Sequence, residues 1–312
     1  MTRVAVLDDY QQVAGSYADW SGLDVDFVGE HLTGDALVDR LAGREVVVAM
    51  RERTPFPREV LARLPDLRML ITTGMRNRSI DVAAAGDLGI VVTGARGIRT
   101  PTSELTWALI LGLVRPVAEY DRDIRAGQWQ RTVGGDLAGR TLGLVGLGNQ
   151  GKAVAAVGNA FGMDVVAWSP HLTEERAAEG GARLVERAEL FSTSDVVSVH
   201  MALVPATRGI VGEAELRAMR PESFLVNTSR AALVDEDALR KAVEGAWLAG
   251  VALDVFDIEP VPTDHWLLTA PRTLLSPHMG YVSDVNYRTY FTDVVANIAA
   301  YRAGEPVRVL GG

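Results

Sequence analysis

The sequence contains no cysteine among its 312 residues, so disulfide bonds, thiolate metal ligands and cysteine nucleophiles are excluded. Aspartate and glutamate outnumber lysine and arginine by 40 to 31, which gives a formal net charge of −9. Because nucleic acids and anionic membranes are bound mainly through cationic side chains, neither is expected as a partner. The sequence also lacks the roughly 18 consecutive apolar residues of a membrane-spanning helix, and its start lacks the features of a signal peptide. We therefore expect a cytoplasmic protein.

Short apolar or β-branched runs alternate with amphipathic stretches along the chain, which is typical of parallel sheets covered by helices. The expected fold class is α/β, with two doubly wound, Rossmann-like parallel-sheet domains. Residues 100–126 keep apolar side chains at helical spacing behind a Thr-Pro start, which predicts one long connecting helix. Residues 282–303 predict a last helix, which could belong to either domain. The predicted strands are residues 4–7, 25–28, 46–50, 69–72, 90–92, 141–145, 164–168, 196–199, 224–227, 248–252 and 273–275.

A glycine-rich turn follows the predicted strand 141–145. Its pattern is Gly146-x-Gly148-x-x-Gly151, and a helical pattern and a further predicted strand come after it. In such a context the first glycine permits a tight turn, the second lets the backbone approach a pyrophosphate, and the third lets the helix pack closely. The context predicts a dinucleotide-binding site and disfavours a glycine-rich loop of purely structural use.

Ser169 ends the next predicted strand, where an NAD-binding site usually carries Asp or Glu to bond the adenosine ribose. Serine lacks the charge that repels a 2′-phosphate, and His171 and Arg176 follow closely. We therefore expect NAD or NADP as the cofactor, with NADP accepted. The alternative, in which Ser169 bonds the ribose and NAD is preferred, stays open.

Arg230, Asp254 and His278 each follow a predicted apolar strand. Because the carboxyl ends of parallel strands line the ligand crevice, these residues are expected to face it, with Glu259 close by. Arginine can bind a carboxylate through two parallel hydrogen bonds, and histidine can exchange a proton with a carbonyl oxygen. A carboxylate such as Glu259 on the other ring nitrogen would orient the imidazole. The set suits hydride transfer to a 2-oxo acid, although each residue alone also suits a structural role.

Several ordered motifs resemble those of the D-isomer-specific 2-hydroxyacid dehydrogenases. They extend over essentially the whole chain and comprise the Gly146 turn, His200-x-x-x-x-Pro205-x-Thr207, Asn227-x-x-Arg230, Asp254-Val255-Phe256-x-x-Glu259-Pro260 and Pro277-His278-x-Gly280. The resemblance implies a flavodoxin-like substrate domain, residues 1–99 with 283–312, split in sequence around an inserted dinucleotide-binding domain, residues 100–282. It also implies a homodimer built largely through the nucleotide-binding domains.

By matching motifs, the resemblance implies roles for individual residues. Arg230, Glu259 and His278 would form the catalytic triad. Asp254 would bond the nicotinamide amide, as one of the cofactor contacts Gly146, Gly148, Asn149, Gln150, Gly151, Ser169, Thr207, Thr228, Asp254 and Gly280. Backbone amides of the 74–76 loop would hold the substrate carboxylate, and the substrate contacts would be Gly74, Met75, Arg76, Arg230, His278 and Arg51.

The resemblance implies a small anionic 2-oxo or 2-hydroxy acid of the glyoxylate or hydroxypyruvate type as substrate. Arginines are numerous around the predicted substrate loops, which raises the hypothesis of a second anionic group on the substrate; solvated surface charge is the other interpretation. These arginines are Arg51, Arg53, Arg76, Arg78, Arg96 and Arg99. Three residues depart from the usual family pattern, Ala231, Tyr281 and Ser169, and of these only Ser169 bears on the choice of cofactor.

Two other functions stay open on the same fold: phosphite-type oxidation, and cofactor-sensing regulation like that of related transcriptional corepressors. Formate oxidation is disfavoured because formate-oxidising relatives carry glutamine at the position of Glu259. No histidines show metal-ligand spacing, so no metal is predicted. His31 lies in a polar stretch and is expected to be exposed, and His200 is expected to contribute backbone near the cofactor.

Overall fold

The computed structural model describes residues 1–311, which form two compact units. Unit 1 comprises Met1–Ile98 together with the C-terminal segment that begins at Ser283. Unit 2 comprises Arg99–Val282.

The core of unit 1 is a five-stranded parallel sheet in the order β2-β1-β3-β4-β5. Its strands are β1 Thr2–Val6, β2 Leu23–Phe27, β3 Val46–Ala49, β4 Met69–Thr73 and β5 Val91–Ala95. The helices of its first part are α1 Ala14–Tyr17, α2 Gly34–Leu41, α3 Arg58–Leu61 and α4 Val82–Asp87. Strands β3 and β4 are buried along their whole length, as expected for parallel strands covered on both faces. Since β2 lies beyond β1 and β3 lies on its other side, the chain reverses direction across the sheet between β1 and β3.

Unit 2 contains a seven-stranded parallel sheet in the order β12-β11-β10-β9-β6-β7-β8. Its strands are β6 Thr141–Val145, β7 Asp164–Trp168, β8 Arg183–Leu184, β9 Val196–Val199, β10 Phe224–Asn227, β11 Gly250–Leu253 and β12 Thr273–Leu275. Its helices are α5 Thr100–Val114, α6 Val117–Arg125, α7 Asn149–Ala160, α8 Glu174–Glu179, α9 Arg187–Thr193, α10 Glu213–Ala218 and α11 Glu236–Glu244. The reversal in this sheet falls between β6 and β9. The α/β class with two doubly wound parallel sheets is therefore confirmed.

The prediction of one connecting helix over residues 100–126 is wrong. The chain forms α5 and α6, separated at Arg115 and Pro116. Proline cannot donate the helical hydrogen bond, and it disfavours helical backbone in the residue before it, which here adopts ψ 86°. Helix α5 also begins one residue earlier than expected, with Arg99 at its N-cap and Thr100 inside the helix. The two-residue edge strand β8 was not predicted, because so short a strand leaves no periodic pattern.

The last helix, α12 Asp284–Arg302, belongs to unit 1 and is joined to it by buried polar side chains. Arg96 donates to Asp293 through its backbone N–H and through its guanidinium, at distances of 2.8–2.9 Å. Asn297 donates to the Thr93 hydroxyl and to a backbone carbonyl of β5. The buried face of α12 therefore combines apolar side chains such as Tyr287, Phe291 and Val294 with Asn286, Asp293 and Asn297. Because these polar contacts join residues far apart in sequence, the apolar pattern alone does not identify the partner of the helix.

Asp293→Asn is expected to lower the free energy of unfolding by about 1–3 kcal/mol at pH 7, because a hydrogen-bonded buried carboxylate loses its charge. Burial alone would raise the pKa of Asp293, but hydrogen bonds from Arg96 and the nearby Arg308 leave this pKa below its ordinary value. A depressed pKa stabilises the fold above the unfolded-state pKa of about 3.9, and this contribution is lost as the pH falls through the folded-state value.

Urea unfolding of the wild type and Asp293→Asn at pH 7 and pH 3 measures this difference, which should shrink at the lower pH. Asp121→Asn provides the control, because its ion pair with Arg125 is largely exposed and worth little. Equal effects of the two substitutions at pH 7 would contradict the prediction.

No helix within residues 1–311 is long and apolar enough to cross a membrane.

Candidate active site

The glycine turn lies where the chain reverses direction across the unit 2 sheet, between β6 and β9. Gly146 has φ +99°, and a Cβ there would lie 2.7 Å from the carbonyl oxygen of His200, which follows β9. A Cβ on Gly151, in the first turn of α7, would overlap the carbonyl of Gly146. Neither position therefore admits a side chain, because a Cβ there would collide with a backbone carbonyl group.

A dinucleotide fits the remaining features of this turn. A Cβ on Gly148 would meet only open space, so a ligand can approach the backbone at this position. Gly148 is the N-cap of α7, and the unpaired N–H groups at a helix N-terminus favour an anion such as a pyrophosphate. Gln150 Nε2 donates to the carbonyl of Arg99, whereas its buried Oε1 has no hydrogen-bond partner among the described residues. Asn149 is exposed at the start of α7.

Ser169 directly follows β7, half-buried, as the sequence predicts. The Arg176 guanidinium donates to the backbone carbonyl of His171 at 3.1 Å, which folds this arginine over the loop after Ser169. A cationic side chain is therefore held against the loop that follows Ser169.

The two predicted cofactor threonines are both buried and already hydrogen-bonded. Thr207 donates to the carbonyl of Ala202 and accepts from the Val204 N–H, so it closes its own turn. The Thr228 hydroxyl shares a 2.8 Å hydrogen bond with Thr106 of α5. Their contact with the cofactor stays a prediction.

His200 is buried behind the glycine turn. Its Nε2 shares a 2.8 Å hydrogen bond with the Ser198 hydroxyl, and burial lowers the pKa of the imidazole to about 4. The side chain is therefore neutral at physiological pH, and the backbone N–H donates to the carbonyl of Val145 at 2.8 Å, which ties the end of β9 to the end of β6.

Arg230 lies three residues beyond β10, on a loop fixed by its neighbours. The Asn227 amide donates to the carbonyl of Arg230 at 2.9 Å and accepts from the Ser229 N–H. The Ser229 hydroxyl donates to the carbonyl of Val199 on the adjacent strand. The backbone that carries the guanidinium is therefore anchored to two strands.

His278 and Glu259 form a close pair at the same edge of the sheet. His278 Nδ1 lies 2.6 Å from Glu259 Oε2, and Glu259 Oε1 accepts the N–H of Phe256 at 2.9 Å. The bond at Nδ1 fixes the ring orientation and leaves Nε2 as the nitrogen for proton exchange. The ring of Tyr281 lies edge-on to the imidazole, 5.5 Å between centroids.

Asp254 holds the turn that carries His278. Its buried carboxylate accepts from the Ser276 hydroxyl at 2.6 Å and from the N–H groups of Met279 and Gly280 at 2.7 and 2.8 Å. Burial raises the pKa of Asp254, and these bonds together with His278 oppose that rise. The predicted bond to a nicotinamide amide stays a prediction, since all three observed donors belong to the His278 turn.

In unit 1 the predicted substrate loop follows β4. Gly74 has φ +119°, and its N–H donates to the carbonyl of Ala95, so Gly74 cannot be one of the amides that hold a carboxylate. Met75 and Arg76 are both exposed, so the prediction that their backbone amides hold a substrate carboxylate still stands as a prediction. The Arg51 guanidinium covers Gly74 and donates to the carbonyl of Thr73 at 3.0 Å.

The expectation of a freely exposed His31 is wrong. His31 Nδ1 lies 3.1 Å from the carboxylate of Asp8, which is 1% exposed. This tertiary contact covers most of the ring and leaves 18% of it accessible.

Several contacts around the site have no counterpart in the sequence motifs. Thr102 of α5 donates to the carbonyl of Gly280 at 2.8 Å, and Ser276 bonds Asp254. Hydroxyl residues of this kind are common, so only their position in the fold distinguishes these two. Arg96, counted among the arginines near the substrate loops, is instead a structural partner of Asp293. Residues 1–311 contain no group of three His, Asp or Glu side chains able to hold a metal ion.

A family model described as "D-isomer specific 2-hydroxyacid dehydrogenase, NAD binding domain" matches residues 107–280. The chain belongs to this family. It is 37% identical to a glyoxylate reductase from Aeropyrum pernix over 257 residues, which are 79% of this chain and 77% of that protein. It is 32% identical to a D-3-phosphoglycerate dehydrogenase from Archaeoglobus fulgidus, aligned over 98% of this chain but only 58% of that relative.

Among solved structures, a phosphoglycerate oxidoreductase from Vibrio cholerae superposes with a TM-score of 0.93 at 36% identity, covering 97% of this chain and 100% of that one. Family membership makes the chain an NAD(P)-dependent oxidoreductase of the 2-hydroxyacid dehydrogenase class.

Proposed function

We propose that the protein catalyses the reversible, NAD(P)-dependent reduction of a small 2-oxo acid to the D-2-hydroxy acid. The observation that carries the proposal is the 2.6 Å contact between His278 and Glu259, at the carboxyl edge of a sheet whose reversal point carries the glycine turn. A histidine oriented by a carboxylate at such an edge is suited to proton transfer.

In this mechanism Arg230 binds the substrate carboxylate through two N–H groups and polarises the neighbouring carbonyl. His278 donates the proton from Nε2 to the carbonyl oxygen, or removes it from the hydroxyl in the reverse direction. Glu259, held by the Phe256 N–H, stabilises the protonated imidazole. The nicotinamide, when bound, supplies or accepts the hydride, and Gly148, Asn149 and Gln150 would hold its pyrophosphate.

The test is the absorbance of the reduced nicotinamide with NADH or NADPH and a panel of 2-oxo acids that includes glyoxylate, hydroxypyruvate, oxaloacetate and phosphonopyruvate. We expect cofactor oxidation with at least one acid. Tight cofactor binding without turnover of any acid would contradict the proposal and favour cofactor-sensing regulation, and turnover of phosphite would favour phosphite-type oxidation.

We propose that NADP is accepted alongside NAD, since Ser169 replaces the usual acid and Arg176 lies over the adjoining loop. Ser169→Asp should lower kcat/KM with NADPH by about tenfold or more and spare NADH, because a carboxylate repels the 2′-phosphate and bonds the ribose hydroxyls. Ser192→Asp, which adds the same charge on the exposed side of α9, serves as the control. A wild-type enzyme that rejects NADPH, or an equal loss with both cofactors, would contradict this prediction.

We further propose a substrate of the glyoxylate or hydroxypyruvate type, with a second anionic group tolerated. The names of two relatives, glyoxylate reductase and D-3-phosphoglycerate dehydrogenase, support substrates with one and with two anionic groups, respectively. In unit 1, the amides of Met75 and Arg76 and the guanidinium of Arg51 are the proposed contacts to anionic oxygens.

A homodimer built through unit 2 is the proposed assembly. Apolar side chains on α6 and the segment after it are 54–97% exposed, and they form a patch of the kind that protein interfaces cover. They are Val117, Ile124, Trp129 and Val133. The cytoplasmic location stays a prediction.

A further inference from the structure

Two threonines lie on one face of the first two turns of α5. The helix packs apolar side chains such as Trp107 and Ile110 into the core of unit 2. Thr102 and Thr106 are four residues apart, so their side chains lie one above the other. Thr106 is fully buried and Thr102 is half-buried. Because a buried hydroxyl costs free energy unless it is hydrogen-bonded, the partners of these two side chains explain their presence in an apolar helix.

The partner of Thr102 belongs to the turn that carries His278. The Thr102 hydroxyl donates to the carbonyl of Gly280 at 2.8 Å, two residues beyond His278. The N–H of the same glycine donates to Asp254, so both backbone polar groups of Gly280 are bound. A Cβ on Gly280 would lie 3.0 Å from Asp254 Oδ2 and 3.3 Å from Thr102 Cγ2. The turn therefore fits closely between the end of β11 and the start of α5.

The partner of Thr106 belongs to the loop that carries Arg230. The Thr106 hydroxyl donates to the carbonyl of Thr102 at 2.7 Å and shares a 2.8 Å hydrogen bond with the Thr228 hydroxyl. A hydroxyl has a single hydrogen, and a carbonyl can only accept, so Thr228 is the donor to Thr106. This contact lies two residues before Arg230.

Helix α5 therefore connects two loops that the sheet does not join directly. The Arg230 loop follows β10 and the His278 turn follows β12, with β11 between them in the sheet. Strands two positions apart are separated by roughly 10 Å, so these loops share no ladder hydrogen bond. In the proposed mechanism Arg230 binds the carboxylate of the substrate and His278 exchanges a proton with the adjacent carbonyl oxygen. The spacing between the two side chains must then match neighbouring groups of one small molecule.

We propose that Thr102 and Thr106 are positioning residues that set the spacing between His278 and Arg230. The proposal rests on the proposed function and adds two residues to it. Thr102 acts through the Gly280 backbone, and Thr106 acts through the Thr228 hydroxyl. A misplacement of about 1 Å in a reacting group can cost about 10²-fold in rate, so one lost hydrogen bond at the turn is enough to affect turnover.

The first experiment removes the hydroxyl of Thr102 and keeps its shape. In Thr102→Val we expect kcat for the best 2-oxo acid to fall about tenfold or more, because the His278 turn is released on one side. KM for the acid should change less than about threefold, since the Arg230 loop keeps its contacts. Thr102→Ser keeps the hydroxyl and should restore kcat. Thr193→Val, which removes an exposed hydroxyl bonded within α9, should change neither value.

The second experiment releases the other loop. Thr106→Val leaves Thr228 without its acceptor, so we expect KM for the acid to rise about threefold or more, with a smaller effect on kcat than in Thr102→Val. The ratio of kcat in H₂O to kcat in D₂O separates the two variants. This ratio should rise in Thr102→Val, where proton transfer is slowed, and stay near the wild-type value in Thr106→Val.

Amide hydrogen exchange gives a readout that does not depend on turnover. The N–H groups of Met279 and Gly280, both bonded to Asp254, should exchange about tenfold faster or more in Thr102→Val and at the wild-type rate in Thr102→Ser. Faster exchange in a protein that turns over no 2-oxo acid would contradict the proposed function and still support the control of this turn by Thr102.

Three results would overturn the inference. They are a wild-type kcat in Thr102→Val, an equal loss of kcat in Thr102→Ser, and amide exchange at Gly280 that does not respond to loss of the Thr102 hydroxyl.

Discussion

Replacement of His278 by asparagine is expected to lower kcat by about 10²–10⁴-fold, because general acid–base catalysis contributes an effect of this size. Asparagine is the suitable substitute because His278 has φ +54°, a backbone conformation that asparagine tolerates better than most residues. Cofactor affinity should change less than about twofold, since the glycine turn is untouched. Stopped-flow turnover and fluorescence titration with NADH measure the two quantities separately.

Two further variants sharpen this test. Glu259→Gln keeps an acceptor for the Phe256 N–H and removes the charge beside the imidazole, so we expect a smaller loss than for His278→Asn. His265→Asn, in the same unit, keeps a capping acceptor for the Leu267 N–H and should leave kcat within about twofold. More than a tenth of wild-type kcat in His278→Asn would exclude this histidine as the proton donor.

Gly151→Ala should destabilise unit 2 and weaken cofactor binding together. The added methyl would overlap the carbonyl of Gly146, a backbone atom that cannot rotate away. Overpacking of this kind costs about 1–3 kcal/mol, and in a domain of this size we expect the melting temperature to fall by roughly 2–12 °C. The displaced turn should raise the Kd for NADH at least tenfold.

Gly148→Ala is the matched variant. The same methyl meets open space there, so the melting temperature should stay within about 2 °C of the wild type. NADH affinity should nevertheless fall, because the methyl takes up room that a pyrophosphate needs beside α7. The interpretation of the turn would be wrong if both variants lost stability alike, or if Gly151→Ala melted like the wild type.

The strands of unit 2 could be predicted well from the sequence. Predicted and observed ranges coincide for β6, β7, β9, β10 and β12, because each is a short apolar run bounded by glycine, proline or polar residues. Such runs are buried on both faces of a parallel sheet, so burial and sequence pattern agree. The edge strand β8 and the break at Pro116 depended on local details that a periodic pattern does not show.

Contacts between polar side chains far apart in sequence could not be predicted in this way. Asp8 and His31 are 23 residues apart, and each alone is typical of a solvated loop. Asn297 of α12 is buried although its residue type is usually exposed, because β5 offers it hydrogen-bond partners. The types of residue at the strand ends of unit 2 were predictable, whereas the 2.6 Å contact between His278 and Glu259 depends on the fold.

The carboxylate of Asp254 fixes the turn that carries His278, and this has a consequence for engineering the protein. Its three hydrogen bonds, all at 2.6–2.8 Å, tie residues 276–280 to the end of β11. In the proposed mechanism, a turn fixed in this way would need little reorganisation when a proton leaves or reaches the imidazole. If His278 transfers the proton as proposed, we expect randomisation of residues 276–280 to disturb this step for every substrate alike, whereas changes in the proposed substrate loops of unit 1 should alter the substrate range.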